Sequence, residues 1–144
     1  MKLNFYINKN NEEHIDFYIK EMTPELQRIA TQLQNYNLII WGTDNKKITP
    51  LNFADIIRLY TANNKVYADT INHKGYVIKY RLYQLNDILS DDFIQISSSE
   101  IVNFKFIDHL ELTLNNTIKL IFTNHDYSYA SRRYVKKIKR RLGI

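Results

Sequence analysis

The 144-residue chain contains no cysteine, only three glycines and only two prolines. Without cysteine, disulfide bonds, thiolate metal sites and cysteine nucleophiles are excluded, and a reducing cytoplasm is the expected location. So few glycines and prolines argue against long flexible linkers. No segment approaches the roughly 20 apolar residues of a membrane span, and the start of the chain lacks the continuous apolar core of a signal peptide, so we expect no membrane insertion.

Positive charge is concentrated at one end of the chain. The formal net charge is +5, but the first 130 residues hold 13 basic and 15 acidic groups, a net charge of −2. Residues 131–144 contain no acidic residue and seven basic ones: Arg132, Arg133, Lys136, Lys137, Lys139, Arg140 and Arg141. A localised positive patch of this kind indicates a polyanionic partner.

The first 45 residues predict a small strand–strand–helix–strand unit. Apolar and polar residues alternate with period two in two segments, the predicted strands 3–7 and 14–20. Thr23 and Pro24 resemble the N-cap and first position of a helix over about 24–35, and LIIWG (38–42) predicts a buried strand. We expect Trp41, beside Tyr36, to lie in the core. The polar turn TDNKK (43–47) is the predicted junction with the rest of the chain.

Beyond this turn the pattern is dominated by strands. Strand patterns cover ITPLNFADIIRLYTA, NNKVYADTIN, GYVIKY, DFIQI, VNFKFIDHLELTL and TIKLIFT. The NHKG turn favours a hairpin, and Leu82, Leu85, Ile88 and Leu89 predict a short amphipathic helix over about 82–90. The basic segment that begins near Ser131 predicts a terminal helix.

Four segments, in order, resemble the LytTR DNA-binding domain of bacterial transcription regulators. They are RLYQL (81–85), DFIQISSS (92–99), IVN (101–103) and SRRY (131–134), and residues 53–70 also resemble the first hairpin of this family. The resemblance covers about residues 46–144, the predicted DNA-binding domain. Residues 1–45 are similar to the short extension of stand-alone members that have no receiver domain, and this extension could mediate dimerisation or sensing.

The resemblance implies an α+β, mostly β fold, with antiparallel strands in several small sheets and short helices. It also implies that loops enter successive major grooves of double-stranded DNA, often bending it, and that two copies act on repeated sites. The expected partners are therefore DNA and a second copy of the chain. A regulatory protein is a further candidate partner.

The SRRY segment carries the clearest candidates for DNA contact. An arginine fork can bind guanine O6 and N7 or clamp a phosphate, and the resemblance assigns a base contact to Arg133. Arg132, Lys136 and Lys137 are expected to contact DNA as well, with only some of the helix cations reaching phosphates. The alternative is an ordinary solvated helix. In either case Ser131 is expected to cap the helix, with Val135, Ile138 and Leu142 facing the core.

Two further segments supply candidates. Ser97 and Ser98 lie in the loop where the family often has a basic or amide side chain, so this sequence departs from the pattern; the alternative is a turn in which Ser99 caps a short helix. In TANNKV (61–66), Asn64 and Lys65 are candidates, although asparagines at this point also suit an ordinary turn. Asn103 is expected to be structural, bonding the backbone.

The residue pattern gives no support for an enzyme, a metal site or a cofactor. The four histidines are dispersed, and no glycine-rich phosphate loop, nucleophile elbow or HExxH motif is present. The alternative function is a membrane-surface or protein-interaction module that uses the basic terminal helix. Its narrow apolar face, without tryptophan or phenylalanine, would anchor weakly to a membrane.

Overall fold

The structure is a computed structural model that describes residues 2–34 and 39–144. Within these residues the helices are α1 (Pro24–Gln34), α2 (Leu82–Ile88) and α3 (Arg132–Leu142). The strands are β1 (Ile39–Asp44), β2 (Lys47–Asn52), β3 (Ile56–Ala62), β4 (Lys65–Thr70), β5 (Tyr76–Ile78), β6 (Phe93–Ser97), β7 (Glu100–Asn103), β8 (Ile107–Leu112), β9 (Ile118–Phe122) and β10 (Tyr127–Ala130). The residues Tyr36 and Leu38, on which two predictions depend, lie outside the described ranges.

The strands form two antiparallel sheets. One has seven strands in the order β2-β1-β5-β4-β3-β7-β6, and the other has three in the order β10-β9-β8. Every strand pair among the described residues is antiparallel. The expected α+β, mostly β architecture is therefore confirmed, with short hairpin connections that bring successive turns to the ends of the sheets.

One face of the large sheet packs against α2. Alternate residues of its strands point to this face and form a core that includes Ile40, Leu59 and Ile101. Leu82 and Leu85 of α2 complete the core, and Leu85 is fully buried. The apolar stripe of the predicted helix is thus confirmed, although α2 ends at Ile88.

The opposite face, at the β3–β7–β6 end, packs against the small sheet and α3. This second core joins Ile94, Ile96 and Val102 of the large sheet to Leu120 and Phe122 of the small one. The fully buried Ile138 attaches α3 to the same core. Because one continuous core holds both sheets and the helix, the turns at this end have a defined position relative to one another.

The N-terminal region differs from the sequence prediction. Helix α1 begins as predicted, since Pro24 takes its first position and the Thr23 hydroxyl accepts a hydrogen bond from the Leu26 N–H at 3.2 Å. The predicted strands 3–7 and 14–20 are wrong, because neither segment is paired with another strand. Period-two alternation favours a strand only where a sheet edge and a core are available. Without them, apolar side chains such as Ile7 stay exposed.

Strand β1 also differs from expectation. It pairs along its whole length with β2 and contacts β5, so it is part of the large sheet. The prediction that Trp41 lies in the core is wrong: the side chain is 60% exposed, because it projects to the face opposite Ile40, which is buried. The division of the chain near residue 45 stays a prediction, and it falls in the turn between β1 and β2.

Candidate nucleic-acid interface

The three segments with candidate DNA contacts lie in a row at one end of the large sheet. The Thr61 N–H, at the end of β3, donates to the Ser99 carbonyl at 2.8 Å. The Ser131 N–H, just before α3, donates to the Ile96 carbonyl at 2.9 Å. The β6–β7 turn is therefore held between the β3–β4 turn on one side and the start of α3 on the other.

The β3–β4 turn presents its polar tip to solvent. Asn63 and Asn64 both have positive φ values, 50° and 60°, which is the geometry of a type I′ hairpin turn. Asparagine tolerates this region better than most residues, so the turn role expected for these residues is confirmed. Lys65 follows with an exposed side chain. Asn64 and Lys65 thus satisfy the geometric requirement for contact with an external partner.

The serine segment forms the β6–β7 turn. The Ser97 hydroxyl accepts a hydrogen bond from the Ser99 N–H at 3.2 Å and lies 3.3 Å from the Ser99 hydroxyl. The prediction that Ser99 caps a short helix is wrong, because the residues that follow pair with β6 and β3 as strand β7. Ser97 is thus committed to holding the turn, whereas Ser98 is exposed at its tip.

The start of α3 places two arginines in solvent. Ser131 occupies the N-cap position, but its hydroxyl makes no capping hydrogen bond, so the expected side-chain cap is wrong. The serine contributes its backbone instead, through the N–H bond to Ile96 and a carbonyl that accepts from Tyr134. Arg132 and Arg133 are both exposed. Positive charge at a helix N-terminus is unfavourable for the helix dipole, which an anionic ligand at this position would offset.

The cations of α3 divide between its faces. Ile138 is buried and Val135 half-buried, as expected for the core-facing stripe. The prediction that Leu142 faces the core is wrong: its side chain is 40% exposed, because it lies in the last turn of the helix, beyond the second core. Arg141 is engaged within the protein, because it donates to the Asp91 carbonyl and its guanidinium lies 5.9 Å from the centre of the Phe104 ring. Among the described residues, no ion pair involves the four candidate cations of this helix, which are Arg132, Arg133, Lys136 and Lys137.

A basic groove that the sequence did not reveal runs beside α3. The turn between β8 and β9 contributes Asn116, and the helix contributes Arg132, Lys136, Lys139 and Arg140. Its volume is about 660 Å³. The Asn115–Asn116 pair signals only a turn, and the closeness of this turn to α3 follows from the pairing of Ile118 with Ala130. The groove extends the positive surface beyond the three predicted segments.

Asn103 has the structural role expected of it. Its side chain is 1% exposed, donates to the Ile56 carbonyl at 3.0 Å and accepts from the Lys105 N–H at 3.0 Å. The first bond joins the end of β7 to the start of β3, at the end of these strands away from the predicted DNA-contacting turns, and the second holds the turn that follows β7. Asn103 therefore supports the sheet and does not reach the surface.

The described part of the chain contains no cluster of three or more histidine, cysteine, aspartate or glutamate residues suited to a metal ion. In residues 2–34 and 39–144, no helix has the length and apolar character needed to cross a bilayer.

Comparisons with known proteins agree with this fold. The model of the LytTr DNA-binding domain family matches residues 46–143. A Staphylococcus aureus protein (strain NCTC 8325), named as an uncharacterized HTH-type transcriptional regulator, is 39% identical over 147 residues, which cover 100% of this chain and 99% of the relative. A relative from Staphylococcus aureus strain MRSA252, also named as an uncharacterized HTH-type transcriptional regulator, is 38% identical with the same coverage.

The solved LytTr DNA-binding domain of a Bacillus cereus protein, described as a methyl-accepting/DNA response regulator, has the same fold. The TM-score is 0.70 at 23% sequence identity, and the match covers 74% of this chain and 97% of that domain. No two helices in the described residues are joined by a short turn, so the arrangement suggested by the HTH-type names is not seen there. The chain belongs to the LytTR family of DNA-binding domains, which are not enzymes.

Proposed function

We propose that this protein is a transcription regulator that binds a specific double-stranded DNA sequence with the row formed by the β3–β4 turn, the β6–β7 turn and the start of α3. The observation that carries the proposal is the convergence of these segments, each with exposed polar or cationic side chains, at one end of the fold. The names of the Staphylococcus aureus relatives support regulation of transcription.

The three segments have different roles. Arg133 recognises a base edge in the major groove, because its guanidinium can donate two parallel hydrogen bonds to guanine. Asn64 and Ser98 approach neighbouring base edges or phosphates from the turn tips. Lys65, Arg132, Lys136 and Lys137 neutralise phosphates, which provides affinity without sequence preference. Bending of the duplex would bring more of this row into contact.

The expected role of Lys65 leads to a selective test. Substitution Lys65→Ala should weaken binding to a preferred duplex and to random duplex by the same factor, because a phosphate contact carries no sequence information. It should also reduce the slope of log Kd against log salt by about 1. Fluorescence anisotropy over a salt series measures both quantities. A loss confined to the preferred duplex would instead assign Lys65 to a base contact.

The size of the row favours two copies on one site. Four adjacent strands and one helix span roughly 25 Å, given about 4.8 Å per strand spacing and about 10 Å for a helix. One turn of B-DNA is about 34 Å long, so a single copy contacts less than one helical turn. A homodimer on two half-sites would double both the contact area and the number of recognised bases.

The N-terminal region is the surface that would join the two copies. Among the described residues between Leu3 and Trp41, thirteen large apolar side chains are each at least 39% exposed. With about 150–250 Å² for an aromatic side chain, they expose on the order of 1,500 Å², whereas each partner in a standard interface buries about 800 Å². Residues 2–34 carry four basic and five acidic groups, a net charge of −1, so two copies would not repel here as two basic helices would.

Self-association through this region can be tested directly. The double substitution Phe5→Asp and Ile7→Asp places charge where these side chains are 84% and 94% exposed, so it should convert a dimer to a monomer without unfolding the sheets. Sedimentation equilibrium at micromolar concentration measures the mass. Leu114→Asp, at a fully exposed apolar side chain in the β8–β9 turn, is the matched control. A monomeric parent chain, or a dimer that survives the double substitution, would contradict this interface.

The membrane-surface alternative has less support. Most apolar side chains of α3 that would enter a bilayer are already used, since Ile138 is buried and Val135 and Tyr134 pack against the second core, which leaves Leu142 as the exposed one. A helix that gives its apolar stripe to the protein can attract an anionic membrane only by charge, which is weak and sensitive to salt.

The proposed function is tested by selecting bound sequences from a random duplex pool. The parent chain should enrich one short motif, and a duplex with that motif should bind at least 10²-fold more tightly than random duplex at physiological salt. Enrichment of no motif would contradict sequence-specific recognition. Flotation with anionic liposomes, together with a lack of enrichment, would favour the membrane-surface alternative.

A further inference from the structure

Four polar side chains from four different strands meet between the two sheets. The Arg58 Nε of β3 donates to the Asp69 carboxylate of β4 at 2.7 Å, and an Arg58 terminal nitrogen donates to the Ser128 hydroxyl of β10 at 3.1 Å. The same nitrogen lies 3.6 Å from the Glu100 carboxylate of β7, and the Ser128 hydroxyl donates to Glu100 at 2.5 Å. We call these four residues the intersheet cluster.

The intersheet cluster is largely shielded from solvent and carries one positive and two negative groups. The Asp69 side chain is 2% exposed, that of Glu100 16% and that of Arg58 22%. Burial raises the pKa of the Glu100 carboxyl, although the Ser128 hydrogen bond and the Arg58 charge oppose the rise. Burial lowers the pKa of Arg58, but the hydrogen bond and charge of Asp69 outweigh it, so the net shift is upward.

Each member of the cluster lies on a strand that leads to a proposed DNA-contacting segment. Glu100 directly follows the serine turn, and Ser128 lies four residues before Arg132. Arg58 and Asp69, which are register partners, lie on the two strands of the hairpin that ends in Asn63 and Asn64. Because side chains in such a network restrain one another, a displacement at one strand is transmitted to the others.

We propose that the intersheet cluster positions the β3–β4 turn, the β6–β7 turn and α3 relative to one another, and that it thereby determines the sequence preference of the DNA-binding surface. This inference rests on the proposed function. Glu100 and Ser128 are positioning residues in this account, since neither belongs to the row of proposed DNA contacts. The cluster acts on the geometry of base recognition and leaves the sequence-independent attraction to phosphate unchanged.

The alternative is that the cluster only stabilises the fold. The two roles make different predictions, because base contacts depend on geometry within fractions of an ångström, whereas phosphate attraction tolerates small shifts. A variant that loses only stability binds all duplexes equally well once it is folded. A variant with displaced turns loses the preferred duplex and keeps random duplex.

Substitution Glu100→Ala separates these roles. It removes the acceptor of Ser128 while Arg58 keeps Asp69, and it also removes a carboxylate whose charged form burial disfavours, so the fold should survive. We expect affinity for the enriched duplex to fall about tenfold, near the low end for one base contact, with random-duplex affinity unchanged. Glu100→Gln keeps an acceptor oxygen in place and should restore most of the preference.

Two further variants complete the experiment, with all affinities measured by anisotropy and folding by thermal unfolding. Ser128→Ala removes the donor of the hydrogen bond to Glu100 and should show the same selective loss of affinity for the enriched duplex. This variant keeps the proposal testable if Glu100→Ala does not fold. Lys74→Ala is the matched control. The Lys74 Nζ lies 2.5 Å from an Asp126 carboxylate oxygen, so this ion pair also joins the two sheets. It lies at the end of the sheets away from the proposed DNA-contacting turns. The Lys74→Ala variant should retain the full preference.

The possible outcomes distinguish failure of the positioning role from failure of the proposed function. Folded Glu100→Ala and Ser128→Ala with the preference of the parent chain would overturn the positioning role and leave the proposed function intact. An equal loss in Lys74→Ala would overturn it too, because any intersheet contact would then have the same effect. A parent chain without preference among duplexes would contradict the proposed function itself, and this inference with it.

Discussion

Substitution Arg133→Ala is expected to weaken binding to the enriched duplex by about 1–3 kcal/mol, or roughly 5- to 150-fold. A bidentate pair between guanidinium and guanine accounts for an effect of this size, and alanine leaves both guanine acceptors without a protein donor. Affinity for random duplex should change far less, because only one charge of the basic helix is lost. Anisotropy titrations with both duplexes measure the two effects.

Arg141→Ala is the matched control for this substitution. It removes the same side chain and the same charge from the same helix, but Arg141 is held by the Asp91 carbonyl and the Phe104 ring and is not part of the proposed row. The affinity of the Arg141→Ala variant for the enriched duplex should stay within a few-fold of the parent value. If both variants lose affinity equally, Arg133 contributes charge alone and does not recognise a base.

Salt is expected to have the other large effect. Lys65, Arg132 and two or three of the remaining α3 cations give four or five phosphate contacts for each copy, and each contact adds about 0.9 to the slope of log affinity against log salt. Between 50 and 200 mM salt, affinity per copy should therefore fall roughly 100- to 500-fold. Titrations with the enriched duplex at five or more salt concentrations measure the slope.

The same titrations with the double variant Lys136→Ala and Lys137→Ala identify the source of the slope. The slope should become less steep by about 1–2, in proportion to how many of these side chains reach a phosphate. A parent slope near zero would contradict a surface dominated by cations. An unchanged slope in the double variant would place the phosphate contacts elsewhere, for example in the groove beside Asn116.

Features with a local cause were predictable from the sequence. The stripe of α2, the apolar face of α3 and the turn role of the residues before Lys65 depend on periodicity and turn chemistry, which are contained in neighbouring residues. The resemblance to the LytTR family supplied the antiparallel, mostly β architecture and the candidate contacts. The roles of individual residues at the DNA remain predictions, which the substitutions above test.

Features that depend on partners distant in sequence were not predictable. Residues 3–7 and 14–20 have the alternation of strands, but no sheet edge pairs with them. Trp41 lies on a strand, as predicted, but its side chain is on the exposed face of that strand. Ser99 precedes strand β7, although the local sequence also suits the N-cap of a helix. The intersheet cluster joins side chains up to 70 residues apart, a relation that no local pattern records.

Site-specific photocrosslinking to the enriched duplex tests most directly whether the three segments form one DNA-binding surface. A photoreactive side chain would be placed in turn at Asn64, Ser98 and Lys137, and at Asn124 in the β9–β10 turn at the opposite end of the small sheet. We predict crosslinks from the first three positions, each to a different stretch of one face of the duplex, and none from Asn124. Crosslinks from Lys137 alone, or equally from Asn124, would contradict this prediction.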